Sequence, residues 1–214
     1  MAIERNFRIE ASAVWAATAE DPKPDIAFVP PMERRRLTGV ERAALSVAWR
    51  VKSEAELPVV FASRWGEIGV TAKLMRQFHE EGEMSPAGFS ASVHNAAPGA
   101  FSLLTKNHAP YTAVAARERS LEAGLLETLA MSGPVLFVYA EEATPELYRG
   151  EFGDEQRACA VAARLVPCGT DAADFRAEFQ VADEVPPATF ESFADFLAGR
   201  ATKFATSAFT LTRD

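Results

Sequence analysis

SVHNAAPGAFSLLTKNHAPYTAVAARERSLEAGLLETL, residues 92–129, decides the fold. It reads as a short Ala- and Phe-rich helix over 96–104, a strand over 111–117, and a helix over 119–131 with Leu121, Leu125 and Leu129 in line. Leucines recurring every four residues place one helical face against a core. Pro98 is tolerable near the start of its helix, where the missing N–H leaves no bond unmade. A strand running into a helix is where an enzyme of this layout keeps a nucleophile, because the helix N-terminus favours negative charge and lowers a thiol's pKa. Whether a nucleophile stands there separates an enzyme from a protein shaped like one.

Working outward, VLFVYAEE (135–142) is an apolar run suited to a buried parallel sheet. With the preceding strand and helix it makes a right-handed crossover unit. Upstream, FRIEASAVWA (7–16) alternates as a strand does, and EDPKPDIAFVPPMERRRL, with four prolines, reads as an extended loop. Thr38 and Glu41 have capping-box spacing ahead of Val40, Ala44, Val47, Ala48 and Val51, which predicts a helix to about residue 51. PVVFASRWG (58–66) predicts a strand, followed by a helix over 70–81 with Val70, Leu74 and Phe78 as its stripe. Residues 82–92 read as irregular. Downstream, 157–167 and 175–183 read as strands, 189–200 as an amphipathic helix with Phe193, Phe196 and Leu197 inward, and SAFTLTRD as a last edge strand. No repeat, linker or low-complexity segment divides the chain, so residues 1–214 are expected to form one α/β domain.

The composition, 48% hydrophobic and 24% charged, is that of a globular protein and argues against disorder. A net charge of -8 repels phosphate backbones and anionic lipid, so no nucleic-acid partner is expected. The longest apolar stretch, around residues 134–140, falls far short of the roughly 20 residues of a membrane-spanning helix. The N-terminus lacks the pattern of a secretion signal, and the expectation is a cytoplasmic protein. Cys159 and Cys168 have neither CxxC spacing nor a nearby histidine pair, and read as free thiols with no redox or metal role. No metal and no cofactor are expected.

Four segments carry a resemblance: PPMERRRLTGVERAALSVA (30–48), VVFASRWGE (59–67), SPAGFSASVHNAAPGAFSLLTKNHAPYTAVAARERSLEAGLLE (85–127) and VLFVYAEEATPE (135–146). Together they resemble the N-terminal half of a β-ketoacyl synthase, most of all the small chain-length factors of aryl polyene gene clusters. The resemblance is strongest over residues 7–167. It implies a thiolase-like fold, a mixed sheet with helices on both faces, as one of the two pseudo-repeats of a complete condensing enzyme. In that family a Thr-Ala-Cys strand end supplies the cysteine that attacks the acyl thioester. Laid on this chain, Thr112-Ala113-Val114 falls on the strand and Glu118 on the cysteine position, within one residue. The family's two catalytic histidines come from motifs of a C-terminal half, and neither HGTGT nor an NxFGFGGH-like segment occurs here. The resemblance therefore implies a subunit without its own catalytic set.

The implied function is a non-catalytic chain-length factor that heterodimerises with a full-length β-ketoacyl synthase and shapes its acyl tunnel during iterative polyketide or fatty-acid-like extension. In ketosynthases the strand before the nucleophile pairs antiparallel across the dimer, so the segment from Tyr111 through Thr112 and Val114 would meet the partner. Phe89, His94, Asn95 and Phe101 join that implied interface or tunnel, with Met84 nearby. For Phe101 simple core packing is the competing reading, and for His94 and Asn95 it is structural hydrogen bonding of the loop before the short helix. Arg34, Arg35 and Arg36, a dense basic cluster in an acidic chain, could steer an acidic acyl carrier protein or be paired within the molecule. Glu118 could mimic an anionic intermediate or simply pair with Arg117 or Arg119. His79 reads as a solvated helix-end residue and His108 as a turn residue. The alternative function is an autonomous decarboxylase or thioesterase-like enzyme that uses Glu118 or His94 on carrier-bound substrates.

Overall fold

A computed structural model describes residues 3–152, 157–182 and 185–213. Its described strands are β1 (Ile3–Ala16), β2 (Val59–Ala62), β3 (Tyr111–Val114), β4 (Val135–Glu141), β5 (Cys159–Cys168), β6 (Phe175–Phe179), β7 (Lys203–Ala205) and β8 (Phe209–Arg213). They form one sheet in the order β3-β2-β4-β5-β1-β6-β8-β7. β3, β2 and β4 are parallel neighbours, as the crossover reading requires, and every pairing from β4 through β5 to β7 is antiparallel. The sheet is therefore mixed.

The helices are α1 (Pro31–Arg34), α2 (Gly39–Arg50), α3 (Ile68–Glu81), α4 (Pro86–Ala91), α5 (Ala96–Thr105), α6 (Ser120–Ala130), α7 (Arg149–Phe152) and α8 (Phe190–Leu197). α2 starts at the expected capping box: the Glu41 N–H donates to Thr38 Oγ1 (3.1 Å) and the Thr38 N–H to Glu41 Oε2 (2.7 Å). Such a cap stabilises a helix start by about 1 kcal/mol. One face of the sheet packs against α2 and α5 through Val40, Ala44, Val47, Phe61, Val138 and Phe101. The other packs against α6 and α8 through Leu121, Leu125, Leu129, Phe137, Phe193 and Phe196. β4 is buried along its whole length because it lies between these two layers.

Several expectations need correction. The proline-rich loop contains the short helix α1, since Pro31 is free to occupy a first turn, and the irregular 82–92 segment contains α4, capped by Ser85 Oγ accepting from the Gly88 N–H. The stripe Val70, Leu74, Phe78 is not the inward face of α3: Ile68, Ala72 and Leu74 are buried, whereas Met75 and Phe78 are half exposed. Only one end of α3 rests on the body of the protein. β8 is not an edge strand, because β7 pairs along its far side. The end of the strand expected over 175–183 falls partly outside the described residues.

α6 reaches β2 through Gly124. A Cβ on this residue would sit 2.5 Å from the Ala62 Cβ and 3.0 Å from the Phe137 ring. The helix axis is thereby drawn down onto β2 and β4, which fixes where the start of α6 stands relative to the strand ends. Gly124→Ala must push the helix off the sheet, an overpacking cost of about 1–3 kcal/mol that outweighs the helix propensity gained. The expected outcome is a lower urea midpoint with an unchanged denaturant slope, measured by circular dichroism.

Candidate functional site

The carboxyl-terminal ends of β2 and β4 and the turn between β3 and α6 converge on a cavity of about 470 Å³. Its wall includes Arg64, Glu118, Tyr139, Glu141, Cys159 and Phe190. The centre of this constellation is Glu141, 2% exposed at the end of β4. Its carboxylate accepts from Ser63 Oγ (3.2 Å), from the Arg64 backbone N–H and from the Tyr139 hydroxyl. Burial nonetheless pushes its pKa up to about 7, the hydrogen bonds only partly offsetting desolvation. Burial likewise raises the Tyr139 hydroxyl and pushes the Cys159 thiol up to about 12, which leaves that cysteine an unreactive thiol at neutral pH.

Gly66, at φ 55°, turns the chain out of β2, and its N–H donates to Ser63 Oγ (2.9 Å). A Cβ there would lie 2.8 Å from His94 Cδ2, so the turn and the His94 loop close on each other through a position only glycine fills. His94 Nε2–H donates to the Ser63 carbonyl (3.0 Å), and its ring lies against Phe61. His94 thus holds the β2 exit, in keeping with structural hydrogen bonding. Asn95 sits at the cap position of α5 without a side-chain cap bond.

The turn that carries Glu118 is a 3-10 segment, Arg117–Arg119, entered through Arg117 at φ 50°. Ser120 Oγ accepts from the Ala116 N–H (2.8 Å) and donates to the Arg117 carbonyl (2.7 Å), clamping this left-handed step. Glu118 projects from it and pairs with Arg64 (2.7 Å), not with Arg117 or Arg119 as local sequence suggested. Its own backbone N–H, then the Arg64 guanidinium, hold its carboxyl below the usual range. Arg119 instead donates to the buried Glu122 (3.0 Å), to Ser207 and to the Val185 carbonyl, and Glu122 also accepts from the Ala188 N–H (2.8 Å). This hub ties α6 to the segment that leads into α8.

The remaining sequence candidates separate. Tyr111 and Thr112 are exposed and Val114 is partly so, on a strand whose single sheet neighbour among the described residues is β2. Phe89 is exposed on α4 and Met84 is partly buried. Phe101 is buried in the cluster beside α2, in keeping with the core-packing reading. Arg34 is spent internally on the Ala27 and Val29 carbonyls, while Arg35 and Arg36 remain exposed, so the basic cluster is a pair rather than a triplet. His79 and His108 are exposed, as read. Among the described residues no set of His, Cys, Asp and Glu side chains is grouped to hold a metal ion, and no helix is long and apolar enough to cross a membrane.

Sequence reading missed Arg64, Tyr139, Glu141 and Glu67. The signal for Glu141 was an acidic residue closing a seven-residue apolar strand. Glu67, at the start of α3, is 3% exposed and faces Thr38, Glu41 and Glu142, all drawn together by the packing of α2 and α3 beside the end of β4. Burial pushes it up to about 8, against the lowering hydrogen bond from Thr38 and with Glu41 and Glu142 adding to the rise.

The sequence matches the family described as β-ketoacyl synthase, N-terminal domain, over residues 9–199. The chain belongs to the β-ketoacyl synthase family, through that domain. Its structure is similar to a chain in a solved complex of a ketosynthase with its chain length factor from Xenorhabdus doucetiae. The two share 22% identity at a TM-score of 0.77, over 97% of this chain and 99% of that one. The fold is accordingly the thiolase-like ketosynthase fold, with Glu118 at the start of the helix that follows β3. No curated protein matches the sequence significantly.

The raised Glu67 carboxyl has a testable sign. Because the folded protein holds this proton more tightly than the unfolded chain, Glu67 subtracts stability as pH climbs from the ordinary carboxylate range through about 8. Glu67→Gln is expected to leave the melting temperature within about a degree at about pH 4, where both states hold the proton, and to raise it by a few degrees at about pH 9. Thermal melts at the two pH values check this.

Proposed function

We propose that this chain is a non-catalytic chain-length factor that heterodimerises with a full-length β-ketoacyl synthase and shapes the acyl tunnel of that enzyme during carrier-bound chain extension. The observation that carries the reading is the state of the β3–α6 junction. Its backbone makes a clamped turn suited to presenting a side chain at a helix start, and the side chain presented there is Glu118, engaged with Arg64. A carboxylate held below its usual pKa is a poor proton donor, and it is not the thiol on which acyl transfer in the family depends. The same fact weighs against the alternative of an autonomous decarboxylase or thioesterase, as does His94, whose ring nitrogen is committed to the Ser63 carbonyl.

The partner surface follows from β3. The Val59 N–H donates to the Pro110 carbonyl and the Ser63 N–H to the Val114 carbonyl, so Pro110, Thr112 and Val114 turn their backbone groups toward β2. By strand alternation Tyr111 and Ala113 direct theirs to the open edge. An unpaired edge of this kind is a template for another strand. Elsewhere on the chain Met75, Phe78, Phe89, Val93 and Leu103 also expose apolar side chains, Leu103 at 83%. Arg35 and Arg36 supply a local positive field in a chain of net charge -8, suited to steering an acidic carrier protein.

The test is co-expression with a full-length ketosynthase from the same genome, followed by size-exclusion chromatography and a condensation assay with and without this chain. A stable one-to-one complex, with product formed or limited in length only when both chains are present, is expected. Elution of this chain alone, with undiminished and unaltered condensation by the ketosynthase, sinks the reading. Ala113→Pro removes an outward N–H without touching the β2 ladder and is tolerated on an edge strand. It is expected to leave the melting temperature nearly unchanged and to weaken the complex at least about tenfold, as Phe89→Asp should, since a buried interfacial aromatic is worth about 2 kcal/mol or more.

A further inference from the structure

The cavity at the β3–α6 junction has a cation fixed from behind and an anion that is free to leave. Arg64 is immobilised: its backbone N–H donates to the buried Glu141, its guanidinium lies 4.9 Å from the Trp65 ring centre, and its side chain is 13% exposed. Its partner Glu118 is 52% exposed and stands on a surface turn. The pairing is thus a preorganised guanidinium occupied by a replaceable carboxylate. Arginine presents planar paired donors that fit a carboxylate from outside as well as one from the chain.

The rest of the cavity says what such a ligand would carry. Pro187, Ala188, Phe190 and the Tyr139 ring give it apolar wall, and its volume of about 470 Å³ lies within the range of small-molecule sites. The other acidic groups on the wall are already matched: Glu141 accepts from Ser63, Arg64 and Tyr139, and Glu191 is paired with Arg157 (3.0 Å). We infer that this cavity binds a small organic carboxylate with a short hydrocarbon body, whose carboxylate takes the place of Glu118 on Arg64 while its body lies against Tyr139 and Phe190. Glu118 is then a tethered competitor that weakens the site without closing it. The inference concerns the isolated chain and does not depend on the partner reading.

The test is a ¹H–¹⁵N NMR titration of the full chain at neutral pH with hexanoate, and in parallel with the neutral isostere hexanamide and with inorganic phosphate. Hexanoate is expected to shift amides around residues 64, 118 and 190, whereas hexanamide and phosphate leave them in place. Removing the competitor by Glu118→Gln, which keeps the shape and deletes the charge, should tighten hexanoate about fivefold, the scale on which a partly exposed ion pair competes. Adding Arg64→Gln to that variant should abolish the gain. Equal shifts from hexanamide or phosphate, or a Glu118→Gln variant that binds no tighter, overturn the assignment. If the variants lose their native spectra, the wild-type comparison of hexanoate with hexanamide decides alone.

Discussion

The carboxylate of Glu141 organises the end of the molecule where chemistry would be placed. It closes an otherwise apolar strand and is removed from water, so it must be satisfied from within. Its partners come from the β2 exit, through the Ser63 hydroxyl and the Arg64 N–H, and from its own strand, through Tyr139. Loss of any of these donors would leave a buried charge poorly compensated, which is costly enough to hold the β2 turn in place. Arg64 is aimed at the β3–α6 turn as a consequence, and everything at the junction follows from that direction.

Two other constraints complete the frame. Gly124 lets α6 approach β2 and β4 closely, which sets the height of the turn carrying Glu118. Glu122, one residue pair before it on the same helix, gathers Arg119, Ser207 and the Ala188 N–H, and so brings the entrance of α8 over the cavity. The site is built by side chains far apart in sequence, with rigid secondary structure beneath them. The frame is held by Glu141, Gly124 and Glu122 rather than by the side chain displayed at the β3–α6 junction.

Much of the architecture was legible from patterns with a direct physical cause. The Thr38–Glu41 spacing announced the start of α2 because the two groups satisfy each other's backbone donors. The apolar run at 135–141 announced a central strand because both faces are covered. The reading failed where periodicity had no tertiary surface to meet. Val70, Leu74 and Phe78 share a face of α3, but that face runs past the body of the protein, so Phe78 is left in solvent. Phe101, read both as core packing and as interface, packs against the chain's own α2.

The sequence by itself determined the crossover unit, because that depends on local periodicity, and through its family resemblance it implied a mixed sheet with a helical layer on each face. Tertiary structure alone decided that Glu118 meets Arg64 rather than its neighbours, that Arg34 is spent on backbone carbonyls while Arg35 and Arg36 stay free at the surface, and that Glu67 faces two other carboxylates. The first and last of those outcomes bring together charges from separate elements. Their distances depend on how helices seat on the sheet, and no spacing along the chain encodes that.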